Sequence, residues 1–283
     1  MADVDPIATK LLDRIEDLMV FPAAAAKVLH VAHHADSTLG DMEQAVGSDP
    51  VLAGKVVELS NSALYRRGRR VDDLRRAIQV LGFSTTRDTA IGLALVGIGR
   101  RADPRSAYLW RHATGSAQAA TRLAAFVPPA IGRSAYLCAL LHDIGRQLMA
   151  VIDPDALDRV LAAEAGGHPD VLGLEREVFG IDHAALGGAC LDRWSFRPEV
   201  ARAVARHHDP VGQIREPEER LRVALLQLSD AIVRGMNHSD QVEGVVTSAA
   251  SEPARRVLGV SREALERIVT ELLHEEGGHR VAA

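Results

Sequence analysis

Several histidines and aspartates stand on the apolar faces of predicted helices, where ionisable side chains are rare. His183, for example, begins a stripe of apolar residues that recurs at helical spacing as far as Trp194. The set has five histidines and two aspartates, each placed by the same spacing: His112, His142, Asp143, His183, His207, His208 and Asp230. The sequence therefore predicts imidazole and carboxylate groups that point inward from five separate helices.

Inward-facing groups of this kind need partners, because an unpaired charge in a low-dielectric interior costs several kcal/mol even after relaxation. Coordination of a metal satisfies the whole set at once, and imidazole with carboxylate suits Mn, Fe, Zn or Ni. The set has no thiolate, which argues against a closed structural zinc site. For any one histidine taken alone, the commoner interpretation is a core residue hydrogen-bonded to a backbone carbonyl. The set as a whole favours a metal.

The elements that would position these groups are predicted to be helices throughout. Hydrophobic residues make up 47% of the chain but aromatic residues only 4%, a composition that favours closely packed helices over sheets. No alternating stretch supports a strand. Helix starts are marked by capping residues or prolines at Asp49-Pro50, Asp72, Ser84, Pro104, Asp153-Pro154, Asp182, Pro198, Pro217 and Ser261. The most loop-like region, 237–253, is predicted to separate a last helix, 261–274, from the body.

Composition excludes several classes of protein. The 283 residues include 33 Lys and Arg against 38 Asp and Glu, so neither a strongly basic nucleic-acid binder nor an acidic disordered tail is indicated. The longest mainly apolar stretch, 136–141, is shorter than the roughly 20 residues of a membrane crossing, and the N-terminus lacks a secretion signal. We therefore expect a cytoplasmic chain with no membrane association, in which Cys138 and Cys190 are core residues.

One concentrated basic segment follows the sequence NSALY. It contains Arg66, Arg67, Arg69, Arg70, Arg75 and Arg76. Such a segment can contact phosphate or nucleic acid, or serve as a docking face for an acidic partner. The other interpretation is a solvated surface whose charge is partly offset by Asp72 and Asp73, and the acidity of the whole chain favours it.

The order of these motifs resembles a known family. His112, then His142-Asp143 within LLHDIG, then His183, His207-His208 and Asp230 resemble the HD superfamily of metal-dependent phosphohydrolases. More specifically, the chain is similar to an HDOD domain, the HD-related output domain of bacterial signalling proteins. The similarity covers about residues 14–214 and is carried by SDPVLAGKVVELSNSALYRRGRRVDDLRRAIQVLG, LWRHATGSAQAATRLA, LLHDIG, DHAALGGACLDRW and RHHDP.

The resemblance implies an all-helical fold with an N-terminal lobe, 14–100, and an HD-like lobe, 101–214. C-terminal helices occupy 215–283, and the first of them completes the HD-like lobe through Asp230. It also implies a ligand set for one or two divalent ions (Fe, Mn, Zn or Ni). The basic HD ligands correspond to His112, His142, Asp143 and Asp230, and the extra histidines of dinuclear members correspond to His183, His207 and His208.

The implied function is regulatory. HDOD domains are viewed as signalling modules, so we expect this chain to bind a signalling protein or a small nucleotide. The alternative is a metal-dependent phosphohydrolase, in which Asp143 would bridge two metals and Arg146 would contact a phosphate; Arg146 is equally able to bridge a carboxylate. The chain resembles the HD-GYP cyclic di-GMP phosphodiesterases, but it lacks GYP after HHDP and has Arg146 where they carry the lysine of HDIGK. A third hypothesis, which the composition disfavours, is a regulator that binds nucleic acid through the arginine segment.

Overall fold

Helices account for all the regular structure in the part of the chain that the structure describes. In the computed structural model these residues are 6–18, 23–34, 36–62, 64–66, 68–96, 104–194, 196–238, 241–250 and 253–281, and no strand occurs among them. The all-α prediction is therefore confirmed. The predicted lobe boundary at residue 100 lies outside these ranges.

The described residues form two compact units, and the first comprises Met1–Trp110 and Arg146–His183. It includes the segment 146–183, which the sequence-based division places in the second lobe. Its complete helices are α1 (Pro6–Leu18), α2 (Ala23–His33), α3 (Leu39–Gly47), α4 (Pro50–Ser60), α5 (Leu74–Leu81), α6 (Phe83–Val96), α10 (Pro154–Ala165) and α11 (Val171–Phe179). Helices α2 to α6 pack on one another, and α10 packs on α11.

Capping residues fix where several of these helices start. Asp49 accepts hydrogen bonds from the backbone N–H groups of Val51 and Leu52, so α4 begins where the sequence predicts. For α5 the predicted cap, Asp72, is wrong by one residue: Asp73 accepts from the backbone N–H of Arg76 at 2.7 Å. The two aspartates are adjacent, and the sequence pattern alone did not separate them.

The loop between α4 and α5 contains Arg66, Arg69 and Arg70, and the side chain of Asn61 connects its two ends by hydrogen bonds. Asn61, at the end of α4, donates to the carbonyl oxygen of Val71 at 2.6 Å and accepts from the Val71 N–H at 2.8 Å. It also donates to the carbonyl oxygen of Val57 at 2.9 Å. These bonds replace backbone pairing across the loop, because an amide side chain offers a donor and an acceptor together.

The second unit comprises Arg111–Gly145 and Ala184–Ala283. Its complete helices are α8 (Pro129–Leu141), α13 (Pro198–Ala205), α14 (Pro217–His238), α15 (Val242–Ala250), α16 (Pro253–Leu258) and α17 (Arg262–Val281). Three helices, α7 (Pro104–Leu123), α9 (Ile144–Ile152) and α12 (His183–Arg193), have residues in both units. Helix α14 is the central element, since α8, α13, α15 and α16 all pack against it.

The prediction of a loop at 237–253 is wrong. Helix α15 occupies most of this region, and α14 extends as far as His238. Val245 and Val246 are fully buried, and a Cβ on Gly235 of α14 would lie 3.2 Å from the Cα of Val245. Small and β-branched residues give α15 a weak intrinsic helix signal, and packing against α14 overrides it. The last helix is consequently packed on the body, because α17 contacts α15.

One segment, Pro129–Ile152, is long and apolar enough to cross a membrane by length and composition. This is longer than the six-residue stretch that the sequence analysis identified. Most of the segment is buried in the protein, as is usual for core helices, and it is divided into α8 and α9 by the turn at His142 and Asp143. A cytoplasmic location stays a prediction.

Gly188 of α12 lies in close contact with α13. A Cβ at this position would lie 2.5 Å from the Cβ of Ala205 and 3.1 Å from the carbonyl oxygen of Ala201. Any larger residue must push α13 away, and α13 leads directly into the turn that carries His207. The missing side chain is therefore what allows the two helices to pack.

We predict opposite effects for two glycine-to-alanine substitutions inside helices. Gly188→Ala should lower the free energy of unfolding by about 1–3 kcal/mol, because it overpacks the contact between α12 and α13. Gly54→Ala, on α4, meets nothing within 4 Å and should raise stability by up to about 1 kcal/mol, the difference in helix propensity. Urea denaturation measures both, and a common sign for the two variants would contradict the close approach at Gly188.

Candidate metal centre

Four elements of the second unit carry the candidate ligands. His112 lies on α7, His142 and Asp143 form the turn between α8 and α9, and Asp230 lies on α14. His207 lies in the turn that follows α13. We call these five residues the histidine–aspartate cluster. Each is buried, with between 2% and 8% of its surface exposed.

The polar atoms of the cluster face one another. His112 Nε2 lies 3.3 Å from His142 Nε2, 3.1 Å from Asp230 Oδ1 and 3.5 Å from Asp143 Oδ2. Asp143 Oδ2 is also 3.5 Å from His142 Nε2, and its Oδ1 is 3.7 Å from His207 Nε2. Two sets of three ligand atoms therefore fall within 4.8 Å of one another, and both contain His142.

Backbone hydrogen bonds decide which ring nitrogen faces the cluster. Nδ1 of His142 lies 2.7 Å from the carbonyl oxygen of Ala139, and Nδ1 of His207 lies 2.7 Å from that of Val204. A carbonyl only accepts, so Nδ1 carries a proton in both rings and Nε2 is the nitrogen that faces the cluster. Metal-binding histidines usually have this arrangement. It is also the bond expected of a core histidine, but unrelated core histidines would not be expected to bring their Nε2 atoms to one place.

The protonation states of the cluster also suit a cation. Burial lowers the pKa of His142 to about 4, and the attraction of Asp143 offsets this only in part. For Asp230, burial on its own would raise the pKa, but the hydrogen bond with His112 and the charge of Arg234 outweigh it and hold the pKa well below its usual value. At neutral pH, His142 is therefore neutral and Asp230 ionised.

The prediction that His208 points inward is wrong, because its side chain is exposed. Helix α13 ends at Ala205, and the chain then turns, so helical spacing no longer applies at position 208. The ring of His208 instead packs against that of His207, with centroids 4.0 Å apart. Both residues line a cavity of about 380 Å³ together with Gln227, Asp230 and Arg234.

Arg146 and His183 belong to the first unit, where they share a buried carboxylate. Arg146 donates to both oxygens of Glu164, at 2.9 and 3.2 Å, and to Glu175 Oε1 at 3.2 Å. Glu175 Oε2 accepts from the backbone N–H of His183 at 2.9 Å and lies 2.6 Å from its Nδ1. Of the two interpretations of Arg146, this geometry matches the carboxylate bridge.

Sequence reasoning missed Glu175, which is fully buried. Burial on its own would raise the pKa of Glu175, but the hydrogen bond and charge of His183, together with the charge of Arg146, outweigh it, so the pKa lies below its usual value. An ionised carboxylate only accepts, so Nδ1 of His183 carries the ring proton. A signal existed: Glu175 lies four residues from both Val171 and Phe179, at the centre of an apolar stripe.

The described arginines of the basic segment are exposed, as a solvated surface would be. These are Arg66, Arg69, Arg70, Arg75 and Arg76, and Arg67 lies outside the described residues. Arg75 forms an ion pair with Glu43 at 3.3 Å. Cys138 and Cys190 are buried, as predicted, and burial raises the pKa of the Cys138 thiol to about 11.

Comparison with known families decides where this chain belongs. A model of the HDOD domain family matches residues 18–210. The chain belongs to the HDOD family. An uncharacterized protein from Treponema pallidum (strain Nichols) is 24% identical over 206 residues, which is 72% of this chain and 40% of that relative. This HDOD chain thus spans about two fifths of the length of that curated relative.

Solved structures share the HDOD fold of this chain. An HDOD domain protein of unknown function from Geobacter sulfurreducens matches with a TM-score of 0.65 and 23% identity, over 98% of this chain and 95% of that one. A protein from Shewanella amazonensis SB2B, provisionally named a phosphohydrolase, matches with a TM-score of 0.65 and 25% identity over 93% of each chain. A protein from Marinobacter aquaeolei VT8, provisionally named a signal transduction protein, matches with a TM-score of 0.62 and 24% identity, over 98% and 65%.

The first prediction from the site concerns how the stability of the protein depends on pH. The unfolded chain binds a proton at His142 near pH 6.5, whereas the folded chain binds it only near pH 4. Between these values the unfolded state holds more protons, so the stability of the metal-free protein should fall as pH falls from 6.5 to 4, by up to about 3 kcal/mol. Urea denaturation across this range measures the slope. A slope that persists unchanged in His142→Gln would contradict the assignment.

The second prediction compares two glutamates that bind the same arginine. Glu175→Gln should lower the free energy of unfolding by about 3 kcal/mol or more, because it breaks a buried ionic network. Glu164→Gln should cost about 1 kcal/mol or less, since Glu164 is partly exposed and contacts only Arg146 in that network. Denaturant unfolding gives both values, and ¹⁵N NMR of His183 should show a changed ring tautomer in Glu175→Gln alone. Equal losses in the two variants would rule out the special position of Glu175.

Proposed function

We propose that this HDOD chain is a bacterial signal-transduction module that holds one or two divalent metal ions and acts by binding a signalling protein or a small nucleotide. The proposed ligands are the five members of the histidine–aspartate cluster, with His208 and His183 as further ligands on the strength of their match to dinuclear HD proteins. Fe, Mn, Zn and Ni suit these donors.

The observation that carries the proposal is the convergence of buried imidazole nitrogens and carboxylate oxygens, the ligand atoms that such metals bind. His142 and His207 each turn Nε2 toward the cluster while Nδ1 bonds a backbone carbonyl, and Asp143 and Asp230 turn carboxylate oxygens toward it. His112 can satisfy one oxygen of Asp230, but the other lone pairs of the cluster lie close together in a buried space, where they repel one another and lose their hydration. A divalent cation removes both penalties, which is why the donor set fits a metal better than it fits a dry core.

A regulatory function is favoured over catalysis by the state of Arg146. This residue corresponds to the lysine of HDIGK in the HD-GYP enzymes, and its guanidinium is held by Glu164 and Glu175. Because carboxylates occupy its donor groups, this guanidinium is not available to bind a substrate phosphate. The HDOD chain therefore keeps the groups that hold metal, while the residue expected to assist catalysis is committed to the fold.

The second candidate, a metal-dependent phosphohydrolase, is favoured by the cavity beside the cluster. The cavity reaches His207 and Asp230, and its volume of about 380 Å³ is within the range of small-molecule sites. A bound metal would lower the pKa of water and polarise a phosphoryl oxygen there. Asp143 turns one oxygen toward His112 and His142 and the other toward His207, the placement that a bridging carboxylate needs. The provisional name of the Shewanella protein agrees with this candidate.

We predict that the purified full chain retains about one or two equivalents of transition metal, measured by elemental analysis after loading with Mn, Fe, Zn or Ni. A metal at 1,000 times its dissociation constant should stabilise the protein by about 4 kcal/mol. His142→Ala and Asp143→Asn should lose both the metal and the added stability. His274→Ala, an exposed histidine of α17, is the matched control and should behave as the wild type.

The same preparations separate the two candidate functions. Wild-type protein without retained metal, or equal loss in His274→Ala, would contradict the metal site. Turnover of phosphodiesters or nucleotides that disappears in Asp143→Asn would establish the phosphohydrolase. Metal-loaded protein that is inert toward such substrates, but that binds a signalling partner only when the metal is present, would establish the regulatory module.

A further inference from the structure

Arg234 sits at the edge of the histidine–aspartate cluster and was not singled out by any sequence pattern. It lies four residues after Asp230 on α14, so both side chains are on the same face of the helix. Its Nη2 is 3.0 Å from Asp230 Oδ2, and 48% of its side chain is exposed. The guanidinium therefore contacts the cluster at one edge and solvent at the other.

Asp230 divides its two oxygens between these neighbours. Oδ1 lies 3.1 Å from His112 Nε2 and 3.9 Å from His142 Nε2, whereas Oδ2 faces Arg234. The carboxylate thus separates the imidazoles from the guanidinium. Anything that binds the outer edge of Arg234 comes to lie beside the candidate metal ligands and remains accessible from solvent.

Arg234 lines the cavity next to the cluster, where a ligand can reach it. Among the described residues that line it, Arg234 is the one permanent cation. Gln227 is fixed in the wall by hydrogen bonds from its Nε2 to the carbonyl oxygens of His207 and Asp209, at 2.9 and 2.7 Å. The wall is therefore ordered around an arginine that has one ion-pair partner among the described residues and five donors in a planar fork.

A planar fork with unused donors is suited to phosphate, which Arg binds through two parallel hydrogen bonds. Arg146, the residue that the sequence proposed for this contact, is held by two carboxylates, whereas Arg234 lines the cavity beside the cluster. The volume of about 380 Å³ lies at the low end of small-molecule sites. A phosphate monoester no larger than a mononucleotide matches both the charge and the size.

We propose that Arg234 binds the phosphate group of a small phosphate monoester in this cavity. The proposal deepens the proposed function, because it names the ligand class for the same site, but the arginine contact does not require the metal. The competing role for Arg234 is a positioning residue that only holds Asp230 in place, as an ordinary ion pair between residues i and i+4 would.

The test is calorimetric titration of the full chain with inorganic phosphate and with adenosine 5′-monophosphate, in metal-free and manganese-loaded forms. Arg234→Met should weaken binding of both probes about tenfold or more, and Arg234→Lys should recover part of the loss, because lysine restores charge without the fork. Arg262→Met is the matched control and should stay within about twofold of the wild type. Arg262 also pairs with a glutamate four residues along its helix, and 46% of its side chain is exposed.

Metal content, measured on the same samples, separates the outcomes. Weakened phosphate binding with unchanged manganese content in Arg234→Met supports the proposal. Loss of manganese together with phosphate assigns Arg234 to positioning Asp230 and overturns it, as does wild-type protein that binds neither probe, or an Arg234→Met variant that binds both as well as the wild type. Arg234-dependent phosphate binding by a protein that retains no metal would uphold this inference while the proposed metal function fails.

Discussion

The burial of mutually facing imidazole nitrogens and carboxylate oxygens is the constraint on which the rest of the second unit depends. His112, His142, Asp143, His207 and Asp230 have almost no contact with water, and their polar atoms lie within a few ångströms of one another. Desolvation of this kind costs several kcal/mol per charged group unless a partner compensates it. The helices must therefore be stable enough to hold these groups together, and α14, packed against four other helices, supplies that rigidity.

Backbone carbonyls fix the direction in which the histidines face the cluster. His142 ends α8 and His207 follows α13, and each bonds a carbonyl three residues earlier in the chain. The last carbonyls of a helix lack the N–H of a following turn, so they can accept from a ring N–H, which is oriented in return. The carbonyl of Val204 also accepts from the backbone N–H of His207 at 3.4 Å. The same local bond thus caps a helix and presents Nε2 to the cluster. This explains why two members of the cluster lie at helix ends.

The sequence predicted the helices and the members of the cluster where periodicity decides the outcome. It placed His112, His142, His207 and Asp230 on buried faces, and these are buried. It was wrong for His208, because the helix ends three residues earlier, and for 237–253, because packing onto Gly235 stabilises a helix of weak propensity. Glu175 and Arg234 were missed for a different reason. Spacing along the helix places Glu175 in an apolar stripe and Arg234 one turn after Asp230, but it does not show that Arg146 and His183 meet Glu175 or that a cavity opens beside Arg234.

The ion pair between Asp230 and Arg234 links the two kinds of binding that this HDOD chain is proposed to perform. A cation at Oδ1 and the guanidinium at Oδ2 draw on the same carboxylate charge. An anion bound at the outer edge of Arg234 partly neutralises the guanidinium. The attraction between the guanidinium and Asp230 is then weaker, and the carboxylate attracts a cation more strongly. Because binding free energies are reciprocal, metal must strengthen anion binding by the same factor. Occupancy at one site can therefore report on the other without any reaction, which is the property that a signalling module requires.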